Sequence, residues 1–342
     1  MSAGVLIVGG TRFIGAAVVR RLVRLGHQVT VLHRGRTEAP LPPAVRHLHL
    51  EREALESALG RTAPDMVVDM VARTERDGTL AAAALAGRVQ RVVVVSSIDV
   101  YRAYERLCRT AAGPPDPVPL GEDAPLRVTR HPRRAQARGP DDWRHHYDKL
   151  LVEQAYSAEP RLPLTRLRLP FVFGPGDYRR RVQALLERMR CSDEIVLGPR
   201  EASWRCTRAH VEDVAAVVVL ALTHPDAAGR IYNVGEERAL SLAEWFRWVG
   251  HAAGWGGQVI ALGPDPELPD WSQHMVVETT RLRRELGFRE EVGLRRGLQQ
   301  TVSAGLDGSS SAAKTNSDTI LPGYARRRVQ GSVYKWMPLS RS

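Results

Sequence analysis

The chain has 342 residues, 43% of them hydrophobic, enough to bury a large core in one domain or two. Its formal charge of +11 at pH 7 is spread along the whole length, and the basic clusters at 130–138, 178–181 and 326–328 are not interleaved with aromatics. A base-stacking nucleic-acid platform is therefore not indicated, and a solvated basic surface that attracts small anions is.

The first half alternates short β-branched runs with amphipathic patterns. VLIVGG (5–10) reads as a strand and turn, FIGAAVVRRLVRLG (13–26) as a helix, QVTVLHR (28–34) and VRHLHL (45–50) as strands, REALESALG (52–60) as a helix and DMVVDMVA (65–72) as a strand. A helix around Leu80–Leu85 and the strand RVVVVSS (91–97) follow. Strands apolar on both faces and separated by helices predict a doubly wound α/β parallel sheet of Rossmann type. From Tyr101 to Pro140 the chain is rich in Pro, Arg and Gly, which predicts a long loop over a cleft. A helix is expected over Asp141–Tyr156, capped by Asp141 or Asp142.

LTRLRL (164–169) is the next strand and FGPGD (173–177) a turn. Helices are expected at Val182–Met189, Val211–Leu222, Leu242–Ala253, Thr280–Leu286 and Leu294–Ala304, with strands at IYNVG (231–235) and QVIAL (258–262). Residues 1–170 are thus read as the dinucleotide-binding core, with strands from 211–240 adding to it. Residues 171–304 are mostly a smaller, mixed substrate lobe. The Ser-, Thr- and Asn-rich composition of 305–342 predicts a disordered or foreign tail. There is no charged leader and no apolar run of about 18 residues, so a cytoplasmic protein is expected. Cys108, Cys191 and Cys206 are odd in number and lack metal-ligand spacing, so no disulfide frame and no metal centre is implied.

Gly9, Gly10 and Gly15 fall between a strand and a helix. There a side-chain-free backbone approaches a pyrophosphate, and the helix N-terminus offers free N–H groups and a positive dipole. The end of the second strand carries His33, Arg34, Gly35 and Arg36 rather than an acid, so a 2′-phosphate is favoured and NADP is expected ahead of NAD. Lys149 is the only lysine before residue 314; the chain holds three, the others being Lys314 and Lys335, among 49 basic residues. A chain that writes Arg almost everywhere keeps Lys where a compact amine is required.

With GGTRFIG, DMVVDMVA, VVVSSIDVY, KLLVE, LRLPFVFGPGD, HVEDVA and IYNVG in that order, residues 4 to about 303 resemble the extended, or atypical, short-chain dehydrogenase/reductase superfamily of the NAD-dependent epimerase/dehydratase type. The resemblance implies that Gly9, Gly10, Thr11, Arg12, Phe13, Ile14 and Gly15 cradle the cofactor. It implies too that Glu51 approaches the adenine, Ala72 lines the ribose, and Arg34 and Pro170 border the same groove. Ser97 would be the catalytic serine, and Lys149 the catalytic lysine that donates to the ribose hydroxyls.

The family's tyrosine lies four residues before its lysine, on the same helix face; here that position is His145. Tyr147 lies two residues before Lys149, about 200° round an ideal helix. Three readings stand. His145 is the acid/base group; or Tyr147 reaches in because the helix begins late, with a nearby cation lowering its pKa from about 10; or the site binds cofactor without turnover. Tyr147 is preferred, because helix first turns are irregular. Asp99 is either a further acid/base group or a salt-bridged wall residue. Arg12 replaces a loop glycine, and Phe171 stands where nucleotide-sugar enzymes often place Asn, which puts a UDP-sugar in doubt. His210 and Asp213 are assigned to structure.

The implied activity is an NAD(P)-dependent oxidoreductase or epimerase acting by hydride transfer on a hydroxyl or keto carbon of a sugar-like or nucleotide-sugar substrate, probed as an anion by the basic surface. A homodimer through the active-site helices is expected from the resemblance alone, and neither membrane nor nucleic acid as a partner. The alternative is a redox-inactive dinucleotide sensor or an RNA-associated member, since GGTRFIG also resembles chloroplast stem-loop RNA-binding proteins.

Overall fold

The computed structural model describes residues 2–37 and 40–312, without the side chains of 306–312. Strands β1 (Gly4–Val8), β2 (Gln28–His33), β3 (Arg46–His49), β4 (Met66–Asp69), β5 (Arg91–Ser97), β6 (Leu164–Leu169) and β10 (Ile231–Asn233) form one sheet in the order β10-β6-β5-β4-β1-β2-β3. Every pairing in it is parallel. Strand order reverses between β1 and β4, the switch point where doubly wound sheets open a crevice at their carboxyl ends.

The apolar runs decide the layers. Residues of β1 and β2 alternate between two cores: Val5, Ile7, Val29 and Val31 pack against α1 (Phe13–Arg24) and α8 (Val211–Thr223), whereas Leu6, Val8 and Leu32 face α2 (Leu55–Thr62), α3 (Glu75–Leu85) and α5 (Lys149–Ser157). Each such side chain contributes about 1.5–3 kcal/mol on burial. α3 and α5 approach closely at Gly78, where a Cβ would stand 2.8 Å from that of Ala155. A capping box between Thr74 and Asp77 starts α3.

A further set of elements packs together: α4 (Arg102–Leu107), α6 (Arg181–Cys191), α7 (Pro199–Ser203), α9 (Leu242–Ala252) and α11 (Leu294–Ala312). It also holds the two-stranded pairs of β7 (Phe171–Phe173) with β9 (Arg208–His210), and β8 (Glu194–Val196) with β11 (Gln258–Ile260). Its core gathers Phe173, Trp204, Trp245, Phe246, Trp271 and Val302. α10 (Thr280–Leu286) packs back on the first core through Leu282 and Leu286.

Three expectations change. The helix predicted from Asp141 begins at Lys149, because Asp148 wins the cap: its carboxylate accepts from Leu150 and Leu151 N–H and is held by the buried Arg127. The 101–140 segment is not wholly irregular, since α4 lies in it. α11 runs to Ala312, past the boundary drawn at 305, and the remainder of the proposed tail lies outside the described residues. Among the described residues no helix is long and apolar enough to cross a membrane.

Candidate active site

The glycine loop joins β1 to α1 at the switch point. Gly9 adopts φ +87°, where L side chains are rare, and a Cβ on it would stand 2.3 Å from Val71. A Cβ on Gly15 would meet the Gly9 carbonyl oxygen at 2.8 Å, so α1 rests directly on the loop backbone. The first turn of α1 carries no acidic residue, and Arg12 at its N-cap makes no side-chain cap. The free N–H groups there suit a phosphate. Arg12 itself donates to Thr37 Oγ1 at 2.6 Å and lies 5.4 Å over the Tyr178 ring. Thr11 and Phe13 are buried beside the turn and Ile14 is half-buried.

Lys149, the first residue of α5, is 7% exposed, and its Nζ donates to the Ala72 and Val95 carbonyl oxygens, each at 2.6 Å. Two of its three hydrogens are thereby fixed at the carboxyl ends of β4 and β5, leaving the third for a ligand. Burial lowers its pKa to about 8, an effect that Asp69 and Asp99 oppose. The Ala72 carbonyl is held by the turn after β4, where Asp69 accepts from Val71 and Ala72 N–H, from Tyr156 Oη and from Arg52. Burial works against the Asp69 carboxylate, but Arg52 outweighs it and brings the pKa to about 2.

Because α5 starts late, Tyr147 lies outside it and its ring turns in: it is 6% exposed and Oη donates to Asp99 Oδ2 at 2.8 Å. Arg133 ion-pairs with the same oxygen at 3.4 Å and lies 4.5 Å over the Tyr147 ring. The expected lowering of the Tyr147 pKa is overturned. Burial and the neighbouring Asp99 carboxylate raise it, and Arg133 offsets only part of this. Asp99 is 3% exposed, and its Oδ1 has no hydrogen-bond partner among the described residues. Asp99 is thus both salt-bridged and hydrogen-bonded to the acid/base candidate. Ser97, half-buried at the end of β5, accepts from Asp99 N–H at 3.2 Å.

His145 is not brought into this group. Its Nδ1 lies 3.2 Å from His146 Nε2 and its carbonyl accepts from Arg134; among the described residues no hydrogen bond joins it to Ser97, Asp99 or Lys149. The i−4 spacing that would have placed it beside Lys149 needs a helix that has not yet begun there.

Arg34 and Glu51 are exposed and 4.0 Å apart across the ends of β2 and β3. Pro170 is half-buried after β6. Phe171 packs edge-on to Trp245, 4.8 Å beneath Arg181. His210 caps α8, and Asp213 in the first turn of that helix accepts from Glu291 and Val292 N–H. Sequence reasoning missed the buried supports. Arg168 grips Glu153 in a bidentate pair and donates to Tyr101 Oη, and Ser96 donates to Glu153 at 2.5 Å. An arginine inside the apolar run LTRLRL was the available signal. Arg73 lies 5.0 Å over Trp143, and burial lowers its pKa.

The glycine cradle, the acid-free helix start and the third Lys149 hydrogen fit a nicotinamide dinucleotide. A model of the NAD dependent epimerase/dehydratase family matches residues 5–235. The chain is 28% identical to a 2′-dehydrokanamycin reductase of Streptomyces kanamyceticus over 73% of its own length and 66% of that protein's. It is 23% identical to a chloroplast stem-loop binding protein of 41 kDa from Arabidopsis thaliana, over 92% of this chain and 82% of the other. A Bordetella bronchiseptica enzyme crystallised with NAD shares the fold at TM-score 0.68 and 17% identity, covering 90% of this chain and 95% of its own.

Proposed function

The chain belongs to the NAD dependent epimerase/dehydratase family, and from that premise we propose that it catalyses hydride transfer at a hydroxyl or keto carbon of an anionic, sugar-like small molecule, with Tyr147 as the proton-transferring group. The observation that carries this reading is one constellation. Lys149 Nζ is fixed by two carbonyls at 2.6 Å, and Asp99, whose charge acts on that amine, accepts from Tyr147 Oη at 2.8 Å.

Gly9 to Gly15 and the α1 N-terminus would hold the cofactor's phosphates, Ala72 and Lys149 its ribose, and the nicotinamide would supply the hydride chemistry. Tyr147 stays a neutral phenol at neutral pH, since its pKa is raised. In alcohol oxidation its oxygen accepts the alcohol proton as its own proton passes to Asp99 Oδ2; in ketone reduction both protons move the other way. Arg133 holds the Asp99 carboxylate in place, and the Ser97 hydroxyl donates to the substrate oxygen. A redox-inactive binder would have no use for a buried Tyr–Asp–Arg chain beside the lysine.

Arg34 at the end of β2, with no acid at that position, supports NADP over NAD. Arg12, Arg73, Arg133 and Arg179 gather round Tyr147, Tyr178 and Trp143. That rim favours an anion and opposes a polycation, so an aminoglycoside such as the Streptomyces relative reduces suits it less than a phosphorylated or carboxylated sugar. The test is fluorescence titration with NADH and NADPH, followed by a turnover screen against UDP-sugars and keto-sugar phosphates. Turnover that Tyr147→Phe cuts by about 100-fold or more, with cofactor affinity kept, is expected. Turnover unaffected by that substitution defeats the assignment.

A further inference from the structure

We propose that His33, His47 and His49 form a binding site for one divalent transition-metal ion of the zinc class. The alternation that sends Val29, Val31 and Val45 into the core continues to His33 on β2 and to His47 and His49 on β3, so all three imidazoles occupy one face. Register places His33 opposite His49 and Val31 opposite His47. One ring nitrogen from each residue lies within 4.8 Å of the others, and His33 Nε2 stands 2.9 Å from His47 Nδ1. His33 is buried, His47 half-buried and His49 exposed, so the set has a fixed inner ligand, two adjustable outer ones and access from solvent.

The donor chemistry selects the ion. Three imidazoles, with no carboxylate joining them among the described residues, suit Zn²⁺, Ni²⁺ or Cu²⁺ rather than Mg²⁺ or Ca²⁺. Zn–N bonds of about 2.0–2.1 Å place tetrahedral ligand nitrogens about 3.4 Å apart. The closest pair must therefore open by about half an ångström while the widest closes, which rotation of His47 and His49 supplies. Without metal, His33 Nδ1 accepts from Gly35 N–H at 3.3 Å, so Nε2 carries the ring proton and donates to His47. Coordination through Nε2 moves that proton, by exchange with solvent, to Nδ1; the long Gly35 contact is given up and no net proton is released. The fourth position is left to water.

The test is calorimetric titration of the full chain with Zn²⁺, alongside Co²⁺ absorption, for wild type, His47→Gln/His49→Gln and His49→Gln alone. The last is a surface change that keeps the fold even if the double variant does not. A second group, His145 with His146 and the nearby His131 ring, supplies background, and His145→Gln/His146→Gln measures it. Wild type should take up one equivalent at ~micromolar Kd and give tetrahedral Co²⁺ bands. His49→Gln should weaken that equivalent by about 10-fold or more, the double variant should lose it, and the His145/His146 variant should keep it. Equal uptake by wild type and His49→Gln, or no uptake tighter than ~100 µM, overturns the site.

Discussion

Replacing Lys149 by Met keeps the aliphatic stem and removes the amine. Two carbonyls, of Ala72 and Val95, lose donors, at about 1–3 kcal/mol each. Against this, a pKa held at about 8 rather than 10.5 means the buried ammonium already costs roughly 3 kcal/mol at neutral pH, by 1.36 kcal/mol per unit. The sign follows from linkage: a depressed lysine leaves the folded state with fewer bound protons between pH 8 and 10.5, so wild-type stability rises over that window and the Met variant's does not. At pH 7 the terms nearly cancel, and the variant should unfold in urea within about 3 kcal/mol of wild type. Cofactor binding has no such compensation. Loss of one charge-assisted hydrogen bond to a ribose hydroxyl should weaken NADPH by about 10- to 100-fold in a fluorescence titration. A folded variant with unchanged NADPH affinity refutes the reasoning.

Asp148→Ala removes the α5 cap and strands Arg127 in the interior, so urea unfolding should show a loss of about 3–5 kcal/mol; less than about 1 kcal/mol would mean that the cap does not set the helix start. His145→Gln should leave the turnover found in the substrate screen within about threefold, and a loss matching that of Tyr147→Phe would return the acid/base role to the histidine. Burial raises the Asp213 pKa to about 6, so its contribution is present below the unfolded value near 3.8 and lost as pH rises through 6. The stability of wild type relative to Asp213→Asn should fall by up to about 3 kcal/mol over that window, and a flat difference contradicts the shift. Arg34→Ala should lower the ratio of NADP to NAD affinity by about 10-fold in paired titrations, and an unchanged ratio removes Arg34 from the 2′-phosphate.

The sheet was legible because β1, β4 and β5 are apolar on both faces, and only a parallel sheet covered by helices satisfies such runs. The glycine loop was legible for a similarly local reason, a turn with positive φ at Gly9. The start of α5 was not. Asp141, Asp142 and Asp148 are equivalent as caps in sequence, and the choice falls to Arg127, which arrives from 21 residues away and pairs with Asp148. The same contact decides the acid/base geometry, because a helix starting at Lys149 frees Tyr147 to turn inward and leaves His145 beside His146. Asp99 follows a legible strand, but Arg133 and Tyr147, which meet it, belong to a segment with no periodic pattern. Their meeting depends on the folded path of the 101–148 connection, to which local propensity gives no access.

The most direct measurement is a crystal structure of the chain with NADPH bound. The account predicts Lys149 Nζ within hydrogen-bond distance of a hydroxyl on the ribose next to the nicotinamide, with Tyr147 Oη facing that ring and His145 outside the groove. A nicotinamide ribose held elsewhere, or His145 in place of Tyr147, would contradict it.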